Sequence, residues 1–229
     1  RHTRFRNVTG VQTCALPIYE RDRKYRRQHE ASLTFGPSPE TLADFRREFR
    51  DAYEAELPLT LHTNATTYWK AQDQLVVSGR EDFVMGVDYN TGALKWLLGD
   101  MTKAWAQYPS LRKLALKVTG EPPVGQHAVS FTSKGELMLF DNGTGSFNAA
   151  PGTSPGISRG YAAPRKYKLN LRTMTAVEIW NYEHNRTVFS PICSSIYEFG
   201  SSMLVDYASE GWGAYVRLLG LDRNGSLAF

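Results

Sequence analysis

Three stretches of this chain repeat one pattern, and that repeat limits what it can fold into. GVDYNTGALKW (residues 86–96), KLNLRTMTAVEIW (168–180) and LGLDRNGSLAF (219–229) share a common plan. Each reads as a strand, a turn after Asp or Asn, and a strand closing on a large aromatic. Asn90-Thr91-Gly92 is a strong hairpin signal. Around the first copy, residues 66–69, 74–78, 83–89 and 93–98 read as four short strands. Four consecutive antiparallel strands of this length make one propeller blade or one sandwich sheet. Trp180 to Phe229 spans 49 residues, close to one blade. Trp96 to Trp180 spans 84, because two insertions fall there: a helical one near 101–118 and a Gly/Pro/Ser-rich loop at 143–164. Residues 130–140 hold the inner hairpin of a second blade, turning at Lys134-Gly135, and 195–229 hold a third. The expected fold is all-β, a partial β-propeller of about three blades. Three blades cannot close a ring, and open strand edges invite pairing. The chain therefore reads as part of a larger propeller, cut on the strand of its last repeat.

The N-terminal part has a different character. Residues 8–18, VTGVQTCALPI, resemble the translation of a common sequencing adapter. Residues 1–18 are accordingly read as a non-native tail on an environmental gene fragment. Residues 19–56 form a helical lead-in. Leu42, Phe45, Phe49 and Tyr53 make one apolar stripe, with Ser38 as N-cap and Pro39 at the first helical position. The propeller is read over 57–229. The net charge of +4 comes from the tail: residues 1–30 carry +5, leaving −1 for the rest. A nucleic-acid partner is not expected. No apolar run is long enough to span a bilayer. With Cys14 assigned to the tail, Cys193 is left alone and reads as a small buried hydrophobe. No His/Asp/Glu group has metal-ligand spacing, so no metal or other cofactor is expected.

Against this scaffold stands a set of polar residues. His62 and Asn64 lie in LHTNATTYW, Arg80 follows His62 by 18 residues, and Gly125-Gln126-His127 comes later. In a propeller, the innermost strands and the loops leaving them line a central channel. His62 precedes the first strand of one blade, Arg80 follows its second, and His127 precedes the first strand of the next. All three are expected at one end of the channel. Two imidazoles, an amide and a guanidinium suit the holding of an anion and nucleophilic attack on it.

His62-x-Asn64, Tyr68, Ser78-x-Arg80, Val87-Asp88, Thr91-Gly92, Trp96-x-Leu98-Gly99 and Gly125-Gln126-His127 together resemble the bacterial arylsulfate sulfotransferases. Phe140-Asp141-Asn142-Gly143 and Ser158-Arg159 extend the resemblance, which covers roughly residues 57–207. It implies a six-bladed propeller that moves a sulfuryl group from an aryl sulfate donor to a phenol acceptor, without a nucleotide donor. It further implies that His127 is transiently sulfurylated, that His62, Asn64 and Arg80 are its partners, and that Arg159 binds substrate. The sequence departs from the family pattern at Ala65-Thr66 and at Gly79, and a further histidine of the family belongs to an earlier blade. The resemblance also implies a periplasmic or cell-surface location and allows a homodimer. Tyr68, Trp69 and Trp105 are the aromatics considered for holding the aryl ring. Two other readings remain at this point: a non-catalytic propeller for binding or assembly, and a quinoprotein-like propeller suggested by Asp88…Thr91-Gly92…Trp96.

Overall fold

A computed structural model describes residues 62–229, so the helix expected near 39–53 and the boundaries of the lead-in lie outside the described residues. The first sheet is an antiparallel meander of β1 (Thr63–Trp69), β2 (Gln74–Gly79), β3 (Phe83–Asp88) and β4 (Leu94–Gly99). The second contains β5 (Lys117–Thr119), β6 (His127–Phe131), β7 (Leu137–Asp141), β8 (Ala163–Asn170) and β9 (Thr175–Asn181), in the spatial order β6-β7-β8-β9-β5. The third is β10 (Ser195–Phe199), β11 (Ser202–Ser209) and β12 (Tyr215–Leu221), after which Leu227 bridges back to Leu221. The all-β expectation holds, and the strands fall within a few residues of their expected places.

The sheets stack face to face, and strand alternation shows how. On β7, Leu137 and Leu139 pack with Trp69, Val84 and Trp96 of the first sheet. Their neighbours Met138 and Phe140 point the other way, into a core with Val205, Tyr207 and Leu219 of the third. A sheet buried on both faces needs apolar residues at consecutive positions, as at Leu137, Met138, Leu139 and Phe140 of the fully buried β7. The first strand of each sheet lies against the next: β1 touches β6, and β6 touches β10. This stacking is consistent with a propeller-like fold.

The repeat has a side-chain basis. Asp88 Oδ1 accepts from the Thr91 amide (3.0 Å) and hydroxyl (2.9 Å). Asn170 Oδ1 accepts from the amides of Arg172 and Thr173 at 3.1 and 3.2 Å. Asp222 Oδ1 accepts from those of Asn224 and Ser226 at 2.8 and 2.9 Å. Each outer hairpin is thus closed by the same turn, in which a short polar side chain substitutes for a backbone acceptor. In two copies a glycine two residues earlier makes room for the closing aromatic. A Cβ on Gly86 would lie 2.1 Å from Trp96 Nε1, and one on Gly220 would lie 2.1 Å from Phe229 Cε1. The middle copy has Lys168 there, and its Trp180 ring instead meets Lys166 Nζ at 5.3 Å. The Asp…Thr-Gly…Trp pattern that suggested a quinoprotein is therefore accounted for by hairpin structure.

The insertion near 101–118 is only partly helical. A 3-10 turn, Ala104–Gln107, is followed by a single helical turn, Pro109–Arg112. Pro109 holds the preceding Tyr108 extended (φ −83°, ψ 117°), which separates the two turns. From Ala115 the chain is extended: Leu97 N–H donates to Leu114 O (2.8 Å), Leu116 N–H donates to Leu97 O (2.7 Å), and β5 runs parallel to β9. Two open strand edges, on β4 and β9, recruit a segment whose composition alone does not decide between helix and strand.

Candidate active site

The 18-residue spacing between His62 and Arg80 follows from the β1–β2 register. Thr63 pairs with Gly79, and one position further out Arg80 N–H donates to His62 O at 2.9 Å. Bulges then re-aim two side chains. The ladder slips between Thr63 and Ala65, and again between His127 and Ser130, where Ala128 takes a φ of 55°. Both bulges sit at the start of a sheet's first strand. The first turns Asn64 toward the second sheet, where its Nδ2 donates to Gln126 O at 2.7 Å. Ser78 Oγ donates to the same carbonyl at 3.3 Å, and Gln126 Nε2 returns a bond to Gly79 O at 2.8 Å. The Gly-Gln-His triplet is thereby stitched to the ends of β1 and β2.

His127 is 3% exposed. Its Nδ1 lies 2.8 Å from Asn142 Oδ1 and 3.1 Å from Gly125 O. The Asn142 amide cannot be turned over, because its Nδ2 donates to Ser190 O at 2.7 Å. Nδ1 therefore faces two acceptors and carries the proton. Nε2 carries the lone pair and accepts a long bond from the Cys193 amide, 3.3 Å. Burial pushes the imidazole down to about 4; the Asn142 bond opposes this, while the Arg80 and His62 charges push further down. The ring is neutral at physiological pH, with one fixed tautomer. His62 is exposed. Cys193 is half-buried and is not a free thiol, which corrects its reading as a lone apolar filler.

Arg80 is 2% exposed. Its Nη1 pairs with Glu81 Oε1 at 2.7 Å, and both Nη atoms lie 3.5 Å from Gly145 O. Its buried Nε has no hydrogen-bond partner among the described residues. Glu81 makes further bonds: its Oε2 accepts from the amides of Phe147 (2.8 Å) and Asn148 (3.1 Å), and its backbone carbonyl accepts from Lys103 Nζ at 2.6 Å. The carboxylate beside Arg80 thus also fixes the loop after β7, which lays the Phe147 ring on the guanidinium, 3.6 Å from Cζ to centroid.

Arg159 is not drawn into this cluster. Successive side chains at 141 and 142 point apart. Asn142 serves His127, whereas Asp141 pairs with Arg159 and, at 2.7 Å, with Arg165. Arg159 also contacts Glu121 (3.4 Å) and Pro122 O (3.3 Å). Arg165 continues the network to Glu178 at 2.6 Å. Arg159 lines a separate cavity of about 620 Å³ that includes none of His62, Asn64, Arg80 or His127. The structure places it in an ion pair with Asp141, apart from the histidines. The aromatics considered from sequence lie elsewhere too. Tyr68 bonds Asp73 at the far end of β1, Trp69 stacks on Phe131, and Trp105 is buried against Phe83. Phe147 and the supporting role of Asn142 were not read from sequence. Asn142 stood within the family-like Phe-Asp-Asn-Gly run, which was the available signal. Among the described residues, no group of three or more His, Cys, Asp or Glu could hold a metal ion, and no helix is long and apolar enough to cross a membrane.

Stacked β-sheets that carry imidazole, amide and guanidinium groups at neighbouring strand ends define an all-β protein with a donor-rich polar cluster. This chain belongs to the arylsulfotransferase family, whose model (Arylsulfotransferase, ASST) matches residues 61–217. It is similar to the arylsulfate sulfotransferase AssT of Escherichia coli O6:H1, being 27% identical over 155 residues. That match covers 59% of this chain and 25% of the relative, so the chain spans about a quarter of the relative's length.

Proposed function

We propose that this chain supplies the core of a site that moves a sulfuryl group from an aryl sulfate ester to a phenol, without a nucleotide donor, through a sulfohistidine at His127. The observation that carries the proposal is the buried, neutral imidazole whose Nδ1 proton is fixed on Asn142 while Nε2 keeps its lone pair. In the first step Nε2 attacks sulfur, the S–O bond to the aryl group breaks, and the phenolate leaves with the bonding pair. In the second step the acceptor oxygen attacks sulfur and the S–N bond breaks, restoring the neutral ring. The acceptor's phenolic proton balances the released phenolate. Nδ1 keeps its proton throughout. The weak Cys193 contact on Nε2 is displaced by the incoming group.

Arg80 holds the sulfuryl oxygens through its free donor positions, and exposed His62 meets the departing or entering phenolic oxygen. Asn64 acts through Gln126, fixing the strand that carries His127. Arg159 is assigned to structure. By analogy with phosphoryl transfer, placement of charge matters more here than acid–base chemistry. The domain reading, 57–229 as part of a six-bladed propeller, and a periplasmic or cell-surface location rest on the family resemblance.

The test uses the intact protein with 4-nitrophenyl sulfate as donor and phenol as acceptor. Transfer should proceed without added nucleotide, and rapid alkaline quenching should trap one acid-labile sulfuryl group per chain. Transfer without any trapped intermediate would remove the sulfohistidine step. A second expectation concerns pH. Protonation removes the Nε2 lone pair, so kcat/KM falls as pH drops through the pKa of His127. That acidic limb should lie near 4, well below an ordinary histidine near 6.5. A limb at 6 or above in a pH–rate profile contradicts a buried neutral nucleophile.

A further inference from the structure

Arg80, Phe147 and Trp212 occupy the same station in three successive sheets: each follows the second strand of its hairpin ladder, β2, β7 and β11. They meet in space. Phe147 lies on the Arg80 guanidinium at 3.6 Å. Its ring centroid is 6.2 Å from Trp212 with planes inclined by 34°, and Trp212 lies 6.0 Å from Phe189 at 69°. Phe189 precedes Ser190, whose carbonyl orients Asn142 and through it His127. The aromatic set therefore adjoins both the guanidinium and the support of the imidazole.

Two of these rings are not core. Phe147 is 50% and Trp212 69% exposed. Trp212 is nonetheless held in the left-handed region, φ 62° and ψ 35°, directly after Gly211 at φ 59°. A bulky side chain adopts that conformation at a cost on the order of 1 kcal/mol, and so exposed an indole recovers little of it by burial. Phe147 is fixed by Glu81, the carboxylate that also pairs with Arg80. Rigid, solvent-facing aromatic surface beside a buried cation with an unpartnered Nε suits a flat apolar group bearing an anion.

We propose that Phe147, Trp212 and Phe189 form an aryl-binding subsite that grips the substrate's aromatic ring while Arg80 holds its anionic group. This rests on the sulfuryl-transfer reading for the identity of the natural ligand, but the binding claim stands on its own geometry. The subsite selects aryl over alkyl sulfates.

Two non-transferable probes test it: benzenesulfonate and methanesulfonate, titrated calorimetrically into the intact protein and into F147L and W212L. The parent should bind benzenesulfonate more tightly. In each variant that preference should fall by about five- to tenfold. Methanesulfonate affinity should stay within about twofold in W212L, which leaves Arg80 and its Phe147 cover in place; the conservative W212F should recover part of the preference. An undiminished preference in both leucine variants, or a parent that binds neither probe, overturns the subsite. A parent that shows the variant-sensitive preference yet transfers nothing from 4-nitrophenyl sulfate leaves the subsite standing and removes the sulfuryl-transfer reading instead.

Discussion

Alanine at position 127 is expected to lower sulfuryl transfer by about ten-thousandfold or more, the order seen when a covalent nucleophile is deleted from a preorganised site. No sulfurylated protein should accumulate. The ring is small, buried and hydrogen-bonded at both nitrogens, so far-ultraviolet circular dichroism must first show the variant folded. Asn142→Asp refines the same prediction. A carboxylate at 142 favours the imidazolium, so His127 should titrate higher and the acidic limb of kcat/KM should move toward neutrality. A loss of fold alone does not produce that displacement. Normal transfer in H127A, measured with 4-nitrophenyl sulfate and phenol, would sink the mechanism. An unmoved limb in N142D would remove Asn142 from its orienting role.

The parts of this site that local sequence reveals are those set by strand register. His62 and Arg80 lie opposite each other because β1 and β2 form a tight hairpin, so their separation is a hairpin length. The turns at Asp88, Asn170 and Asp222 were legible for the same reason: each is closed within four residues. What escaped depends on partners far along the chain. The pairing of Arg159 with Asp141 and Glu121 is one such case. Residues 117–119 form a strand only because the edge of β9 is open. Phe147 sits in a loop without periodicity, and the carboxylate that fixes it is 66 positions earlier, at Glu81. The bulges at Asn64 and Ala128 leave no compositional trace, yet they aim Asn64 and His127.

Trp96→Ala should produce the largest loss of stability among single core changes in the first sheet. The indole is fully buried and packs edge-on to Trp69, 6.4 Å between centroids. It also packs with Val129, Leu137 and Leu139 of the second sheet. Deleting such a ring costs about 3–5 kcal/mol. Its Nε1 also donates to Gln74 Oε1 at 2.8 Å, and that acceptor is itself buried. Leaving it unpaired costs roughly 1–3 kcal/mol more, without strict additivity. Either figure is a large share of the stability of about 5–15 kcal/mol typical of a folded domain. Gly86→Ala attacks the same contact from below, because the new Cβ would collide with the indole. Urea unfolding of the intact protein should show a lower first midpoint for both variants, with Trp96→Phe between them and the parent. Since this ring sits where the first sheet meets the second, loosening it should also blunt transfer, by separating Arg80 on one sheet from His127 on the next. A variant W96A that keeps its midpoint would show that the two sheets are held together by something other than the aromatic contact.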